Sequence, residues 1–174
     1  ILNICSLSNA DIVDISSSLS DTTVDLAAGT SIGADTGSDT LSSIESALLG
    51  LGDDAVTGNA SDNIIDSGAG NDVLDGAAGD DTLSGGLGDD VFKVSDGDDV
   101  VVAGGGSDTL VVSAGYNLSG LVLDEVTGDL TLSLSKNGND HSVTITAQNI
   151  DPVSTLRLFS DGTTFKDFSL LVGL

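Results

Sequence analysis

Oxygen-bearing side chains recur at every ninth residue between Leu49 and Val111. Divided into nines, this stretch contains seven units, and the sixth position of each unit carries an aspartate or an asparagine: Asp54, Asn63, Asp72, Asp81, Asp90, Asp99 and Asp108. Carboxylate and amide oxygens are the ligands that hard cations such as calcium prefer. Their repetition at a fixed spacing indicates a series of cation sites rather than a single catalytic centre.

Two other positions of the unit predict the elements that hold these oxygens. Position eight is apolar in all seven units, and position four is glycine in six. Each unit is therefore predicted to be a glycine-rich turn followed by a short strand whose central side chain points inward. Two units would make one coil, so that every second turn stacks at the strand spacing of about 4.7–4.9 Å. This spacing is roughly twice a calcium–oxygen bond, so a calcium ion would fit between two stacked position-six carboxylates.

The charge balance supports a chain that folds when cations neutralise it. Four Lys and Arg residues stand against 28 Asp and Glu residues, which gives a formal charge of −24. Such a surface repels nucleic-acid phosphates and anionic membranes, so we expect neither nucleic-acid binding nor direct membrane insertion. Hydrophobic residues nevertheless make up 39% of the chain. Together with the apolar position eight of every unit, they disfavour the alternative of a flexible acidic linker.

The unit resembles the RTX, or haemolysin-type, calcium-binding nonapeptide, whose consensus is GGxGxDxUx. GGLGDDVFK (85–93) matches this consensus at every defined position, and SGAGNDVLD and GAAGDDTLS each lack one glycine. The resemblance implies an all-β fold, a parallel β-roll that is a right-handed calcium-binding β-solenoid, with about four to six Ca²⁺ ions bound in its turns. It covers roughly residues 20–174, and its motifs are specific only within the core repeats at 49–111.

The resemblance also implies a ligand set for each pair of stacked turns. The first turn would supply the carbonyl oxygens of positions two and four with its position-six side chain, and the second turn those of positions one and three with its own. Three such sets are Gly50, Gly52, Asp54 with Ser67, Ala69, Asp72; Gly68, Gly70, Asp72 with Gly85, Leu87, Asp90; and Gly86, Gly88, Asp90 with Ala103, Gly105, Asp108. A fourth set is Ala77, Gly79, Asp81 with Val94, Asp96, Asp99.

One unit, GNASDNIID (58–66), departs from the consensus, because Ser61 stands where glycine is expected and Asn63 where aspartate is expected. The fifth implied set is Asn59, Ser61 and Asn63 with Gly76, Ala78 and Asp81. It keeps only one carboxylate, although an asparagine oxygen can still coordinate calcium. A sixth set would join Ser95, Gly97 and Asp99 to Val112, Ala114 and Asn117.

The segment before the array divides into two parts. Residues 1–33 alternate apolar and polar residues in short bursts and are predicted to be strands that flank the N-terminal end of the roll. Residues 34–120 form the predicted roll. Its first nonapeptide, ADTGSDTLS (34–42), is separated from the other units by six residues. We therefore expect Asp35 and Asp39 to be solvated or isolated ligands rather than parts of a complete calcium site.

Residues 121–174 are predicted to form a C-terminal antiparallel β cap. Apolar and polar residues alternate in three bursts, with Gly128-Asp129 and Asn137-Gly138 between them as typical turn dipeptides. The later segment FSDGT (159–163) resembles an element that often closes RTX domains. The core of the cap would be Phe159, Phe165 and Phe168. Such a cap would cover the open strand edges of the last coil.

No catalytic constellation is visible in the sequence. His141 is the single histidine, Cys5 is the single cysteine, and no G-x-S-x-G nucleophile motif occurs. We therefore expect a non-enzymatic module. The larger protein that carries such a module can itself be an enzyme.

The resemblance implies a calcium-binding module that folds outside the cell and supports the secretion and stability of a larger protein. Its partners would be the rest of the secreted polypeptide and the type I secretion machinery, and the chain would be extracellular or associated with a cell surface. A start at Ile1, without methionine, suggests a piece of a longer protein. The alternative is a polysaccharide-binding or surface-binding (adhesion) module. The single Tyr and the lack of Trp disfavour it, because sugar sites use aromatic rings for stacking.

Overall fold

A computed structural model describes residues 3–5, 11–112, 115–123, 130–146, 155–159 and 165–168. These residues form eighteen strands and no helix, which confirms the predicted all-β fold. The strands are β1 (Asn3–Cys5), β2 (Ile12–Asp14), β3 (Thr22–Asp25), β4 (Thr30–Gly33), β5 (Gly37–Ser42), β6 (Ser46–Leu48), β7 (Ala55–Thr57), β8 (Ile64–Asp66), β9 (Val73–Asp75), β10 (Thr82–Ser84), β11 (Val91–Val94), β12 (Asp98–Val102), β13 (Thr109–Val112), β14 (Asn117–Leu123), β15 (Leu130–Lys136), β16 (Asn139–Ile145), β17 (Thr155–Phe159) and β18 (Phe165–Phe168). In the described part of the chain no helix is long and apolar enough to span a membrane.

Successive strands of the nonapeptide array alternate between two sheets. The strands β7, β9, β11 and β13 are neighbours in the first sheet, and β6, β8, β10 and β12 are neighbours in the second. All these neighbours are parallel, and paired residues lie two units apart, as Leu74 and Phe92 do in the first sheet and Ile65 and Leu83 in the second. This register confirms that two units make one coil of a parallel roll.

The core of the roll is formed by the position-eight side chains, which meet between the two sheets. They are Val56, Ile65, Leu74, Leu83, Phe92, Val101 and Leu110, and each is at most 2% exposed. A strand of three residues turns only its central side chain inward, because side chains alternate along a strand. The three-residue strands β7–β10 each contribute one such residue, and the longer strands β11 and β13 add Val94 and Val112 to the core. The roll therefore gains its stability coil by coil.

The strands before the array extend both sheets. Val24 of β3 pairs with Val56 in the first sheet, and Val13 of β2 pairs with Ala47 of β6 in the second. The nonapeptide at 34–42 is not a coil of the roll. Its strand β5 runs antiparallel to β4, and β6, which comes later in the chain, provides the coil that precedes the array.

The strands after the array also continue both sheets. As predicted, β14, β15 and β16 are antiparallel neighbours. Asn137 and Gly138 both have positive φ, 55° and 83°, as a two-residue hairpin turn of type I′ requires. The strand β16 then pairs in parallel with β12, and β17 pairs in parallel with β13. The turn at Gly128-Asp129, residues 160–163 and the three phenylalanine side chains lie outside what the structure describes.

Candidate metal centre

The turns of the array stack in two rows. The first row contains residues 49–54, 67–72, 85–90 and 103–108, and the second row contains residues 58–63, 76–81 and 94–99. Parallel bridges join successive turns, such as Leu51 to Ala69 in the first row and Ala78 to Asp96 in the second. The first five sequence-predicted ligand sets therefore each fall on two stacked turns of one row.

Glycine at positions two and four lets stacked turns approach closely. Gly70 has a φ of 143° and Gly86 a φ of 86°, conformations that residues with side chains rarely adopt. A Cβ atom at Gly70 would collide with the carbonyl oxygen of Gly52, and a Cβ atom at Gly86 would collide with that of Gly68. These two carbonyl oxygens are among the predicted ligands, and the glycines leave the space beside them open.

Several predicted ligand carbonyls also accept backbone hydrogen bonds between turns. The N–H of Leu87 donates to the carbonyl oxygen of Gly68 at 3.0 Å, and the N–H of Gly70 donates to that of Leu87 at 2.8 Å. A carbonyl oxygen has two lone pairs. Each of these oxygens can therefore accept its hydrogen bond and still coordinate a cation.

The position-six carboxylates are buried inside the rows. They belong to Asp54, Asp72, Asp81, Asp90, Asp99 and Asp108, and each residue is between 0% and 4% exposed. One oxygen of each later aspartate accepts the N–H of the position-six residue in the turn before it. The N–H of Asp54 donates to Oδ1 of Asp72 at 2.8 Å, and that of Asp81 donates to Oδ1 of Asp99 at 3.1 Å.

The second carboxylate oxygen provides the test of whether the site fits a cation. Oδ2 is buried without a hydrogen-bond partner in Asp54, Asp72 and Asp90. An unpaired charged oxygen in a protein interior is costly, and a cation between two stacked carboxylates removes that cost. No three His, Cys, Asp or Glu side chains converge as a metal cluster in the described part of the chain, so backbone carbonyls would complete the ligand set. Carboxylate and carbonyl oxygens together suit calcium.

The electrostatics of the rows favour the binding of cations. Burial raises the pKa of Asp90 and Asp99 to about 7, and that of Asp54 and Asp81 to about 6. The negative charges of neighbouring carboxylates raise the pKa further, as those of Asp72 and Asp108 do for Asp90. At neutral pH each such carboxylate holds either a proton or a charge that needs a counter-ion.

The second row contains a single stacked pair of aspartates, Asp81 and Asp99. Ala77 and Gly79 have φ values of 72° and 122°, so turn 76–81 keeps the positive-φ backbone at positions two and four. The hydroxyl of Ser95 contacts the carbonyl oxygen of Ala77. That predicted ligand therefore already has one donor.

The predicted ligands Asn59, Ser61 and Asn63 lie on turn 58–63, which stacks on turn 76–81. The N–H of Ala78 donates to the carbonyl oxygen of Asn59 at 3.2 Å, and the N–H of Asn63 donates to Oδ1 of Asp81 at 2.8 Å. The structure thus brings the fifth predicted set onto neighbouring turns. The hydrogen bonds of the Asn63 side chain nevertheless differ from those of the aspartates.

The sixth predicted ligand set is wrong. Asn117 begins β14, which pairs with β15 and does not stack on turn 94–99. That place is taken by β16: the N–H of Ser142 donates to Oδ1 of Asp98 at 2.8 Å, and Nδ1 of His141 accepts the N–H of Gly97 at 3.0 Å. The nonapeptide pattern ends near Val111, and the alternating residues that follow favour longer antiparallel strands instead of another turn.

Sequence reasoning missed a second set of side-chain contacts, at position five. The N–H of Asn71 donates to Oδ1 of Asp53 at 2.8 Å, and the N–H of Asp89 donates to Oδ1 of Asn71 at 2.9 Å. The second row repeats this pattern, with the N–H of Asp80 donating to Oδ1 of Asp62 at 2.9 Å. A signal was present, because position five is Asp, Asn or Ser in all seven units. These exposed side chains join the turns from outside.

Two parallel sheets wound from nine-residue units, with buried carboxylates stacked in the turns, define a β-roll with cation sites. A model of the RTX calcium-binding nonapeptide repeat (four copies) matches residues 49–83, 75–110 and 84–118. Residues 49–118 are therefore an array of RTX repeats, a non-catalytic calcium-binding family that is typical of secreted proteins. No curated protein matches the chain.

Proposed function

We propose that this chain is a module that folds when calcium binds outside the cell, and that it thereby supports the export and stability of a larger secreted polypeptide. The observation that carries the proposal is the row of buried carboxylates whose second oxygen has no hydrogen-bond donor. These carboxylates repel one another and are desolvated only in the folded state. The folded chain therefore needs a cation that the unfolded chain does not.

The calcium concentration on the two sides of a cell membrane supports this role. Extracellular calcium modules have dissociation constants of about 10⁻⁴–10⁻³ M, far weaker than those of cytosolic calcium sensors. A chain with such affinities and a formal charge of −24 would stay unfolded in the cytosol, which suits passage through the type I secretion machinery. Outside the cell, the free energy of calcium binding stabilises the folded state, because the ligands come together only in the roll.

The described residues support four complete calcium slots. Three lie in the first row, between Asp54 and Asp72, between Asp72 and Asp90, and between Asp90 and Asp108, and one lies in the second row, between Asp81 and Asp99. In each slot the chain supplies two carboxylates from stacked turns. Bound calcium would neutralise this pair and cross-link the turns.

The proposal is tested by circular dichroism of the whole chain. In chelator we expect a largely disordered far-ultraviolet spectrum, and millimolar calcium should produce a β spectrum cooperatively. Magnesium serves as the matched control and should be much weaker, because it demands octahedral geometry at shorter distances and loses water reluctantly. A full β spectrum in chelator at neutral pH, unchanged by calcium, would contradict the proposal.

Binding to a polysaccharide or a surface remains the alternative function. Sugar sites commonly offer an exposed aromatic ring for stacking. The single tyrosine, Tyr116, is only 6% exposed, and its hydroxyl donates to Oδ1 of Asp96 at 2.5 Å. It therefore serves the junction between the roll and the following strands, and no observation in the described residues favours the alternative.

A further inference from the structure

Turn 58–63 differs from every other turn of the array in the conformation of its backbone. At position four Ser61 does not adopt positive φ, whereas the glycine at this position does in each of the other six turns. Every turn assigned to a calcium slot has positive φ at position four. At position four the backbone of turn 58–63 therefore differs from that of every turn assigned to a calcium slot.

The side chain of Asn63 occupies the place of the unpaired aspartate oxygen. A Cβ atom at Gly58 would collide with Oδ1 of Asn63, just as a Cβ atom at Gly85 would collide with Oδ2 of Asp90. The two oxygens thus hold the same position in their turns. Their partners differ: Oδ1 of Asn63 accepts the N–H of Asn59 at 2.8 Å, whereas Oδ2 of Asp90 has no partner.

The remaining amide groups of the turn are also hydrogen-bonded. Nδ2 of Asn63 donates to the carbonyl oxygen of Glu45 at 3.0 Å, and Nδ2 of Asn59 donates to that of Ile44 at 3.0 Å. Oδ1 of Asn59 accepts the N–H of Ser61 at 2.8 Å. Two neutral side-chain amides therefore join this turn to the preceding coil by hydrogen bonds that need no cation.

We infer that turn 58–63 binds no calcium and is closed by its own asparagine amides, so that the calcium slots of the second row begin between Asp81 and Asp99. This inference rests on the proposed function, because it contrasts one turn with others that bind calcium. Asp81 is the only position-six carboxylate at this interface, so the two turns stack without repulsion between position-six carboxylates. The turn and the coil at Ile44–Glu45 would form an ion-independent start for the calcium-loaded part of the roll.

The test counts bound ions on the whole chain by native mass spectrometry at saturating calcium. The triple variant Asn59→Gly, Ser61→Gly, Asn63→Asp converts the turn from GNASDN to GGAGDD and should bind one ion more than the wild type. The matched control Ala77→Gly changes a turn that already contributes to a slot and should leave the count unchanged. An unchanged count in the triple variant overturns the inference.

A second variant tests the same point from the other side. Asn59→Ala with Asn63→Ala removes both amides, and at saturating calcium it should bind as many ions as the wild type, although it should need more calcium to fold. The loss of one ion would show that these residues are ligands and would overturn the inference. A wild-type chain that binds no calcium would instead overturn the proposed function, so the two failures are distinguishable.

Discussion

The two rows of turns are built from the same nonapeptide, but their interiors differ. In the first row every turn of the array has an aspartate at position six, and each aspartate stacks on the next. In the second row Asn63 replaces the first aspartate, and β16 takes the place of a further turn after Asp99. The first row therefore contains three stacked aspartate pairs and the second row one.

The comparison indicates that the number of proposed calcium slots at a turn depends on what is stacked on it. Asp90 lies between two other aspartates, so both of its neighbours contribute negative charge. Asp99 has an aspartate on one side only, since β16 follows it with Ser142 and His141. A repeat with aspartate at position six therefore belongs to two of the proposed calcium slots or to one, according to its neighbours.

The largest effect is expected when one position-six carboxylate is removed from each row in turn. The two variants test whether the rows differ. Asp90→Ala disables two slots, whereas Asp99→Ala disables one. At a free calcium concentration one hundred times the dissociation constant, each lost ion lowers the free energy of unfolding by about 2.7 kcal/mol. We therefore expect Asp90→Ala to be about twice as destabilising as Asp99→Ala when urea unfolding is followed in calcium.

The control for this pair is Asp66→Ala, which removes the same charge from an exposed position of β8. It should leave the calcium midpoint nearly unchanged. Equal destabilisation by Asp90→Ala and Asp99→Ala would contradict the assignment of two slots to Asp90 and one to Asp99.

An intermediate effect is expected from pH in calcium-free buffer. The pKa of Asp90 is raised by burial from 3.8 to about 7, so the folded state binds its proton more tightly than the unfolded state does. The contribution of Asp90 to stability is therefore fully present below about pH 4, where both states are protonated, and it is lost as the pH rises to about 7. Acidification should increase the β signal in circular dichroism.

The first row should contribute more to this pH dependence, because Asn63 does not titrate. Asp90→Asn removes one of the raised carboxylates and should flatten the change of stability between pH 4 and pH 7. An Asp90→Asn variant with the full wild-type pH dependence would show that the buried carboxylates are not its origin.

The smallest effect is expected at position five, whose side chains join the turns without facing the cation. Asp89→Ala removes the acceptor for the N–H of Ser107, at 2.8 Å from Oδ1 of Asp89. The loss should be about 0.5–1.5 kcal/mol of unfolding free energy, with an unchanged number of bound ions. Asp89→Asn keeps an acceptor oxygen and should be closer to the wild type. A lower ion count in Asp89→Ala would show that position five supplies a ligand.

The sequence by itself determined the repeating part of this protein. The spacing of Asp72, Asp81 and Asp90 and the apolar residues two positions later predicted the period, the parallel strands, the buried side chains and the stacking of every second turn. Such a prediction succeeds because each coil contacts only its neighbours, so local pattern and tertiary structure repeat together. The antiparallel strands around Asn137-Gly138 were predicted for a similar reason, since a hairpin is also local.

The tertiary structure alone decided where the repetition stops. ADTGSDTLS (34–42) matches the nonapeptide pattern at positions four, six and eight, but its strand β5 pairs antiparallel with β4. The coil before the array is provided by β6 instead. Asn63 stands at a position that is aspartate in the other six units, and its side-chain amide donates to the carbonyl oxygen of Glu45. The spacing of the repeats does not predict that this oxygen lies beside Asn63. Ends and exceptions depend on contacts between distant segments, such as Ser142 with Asp98, and a periodic pattern holds no information about them.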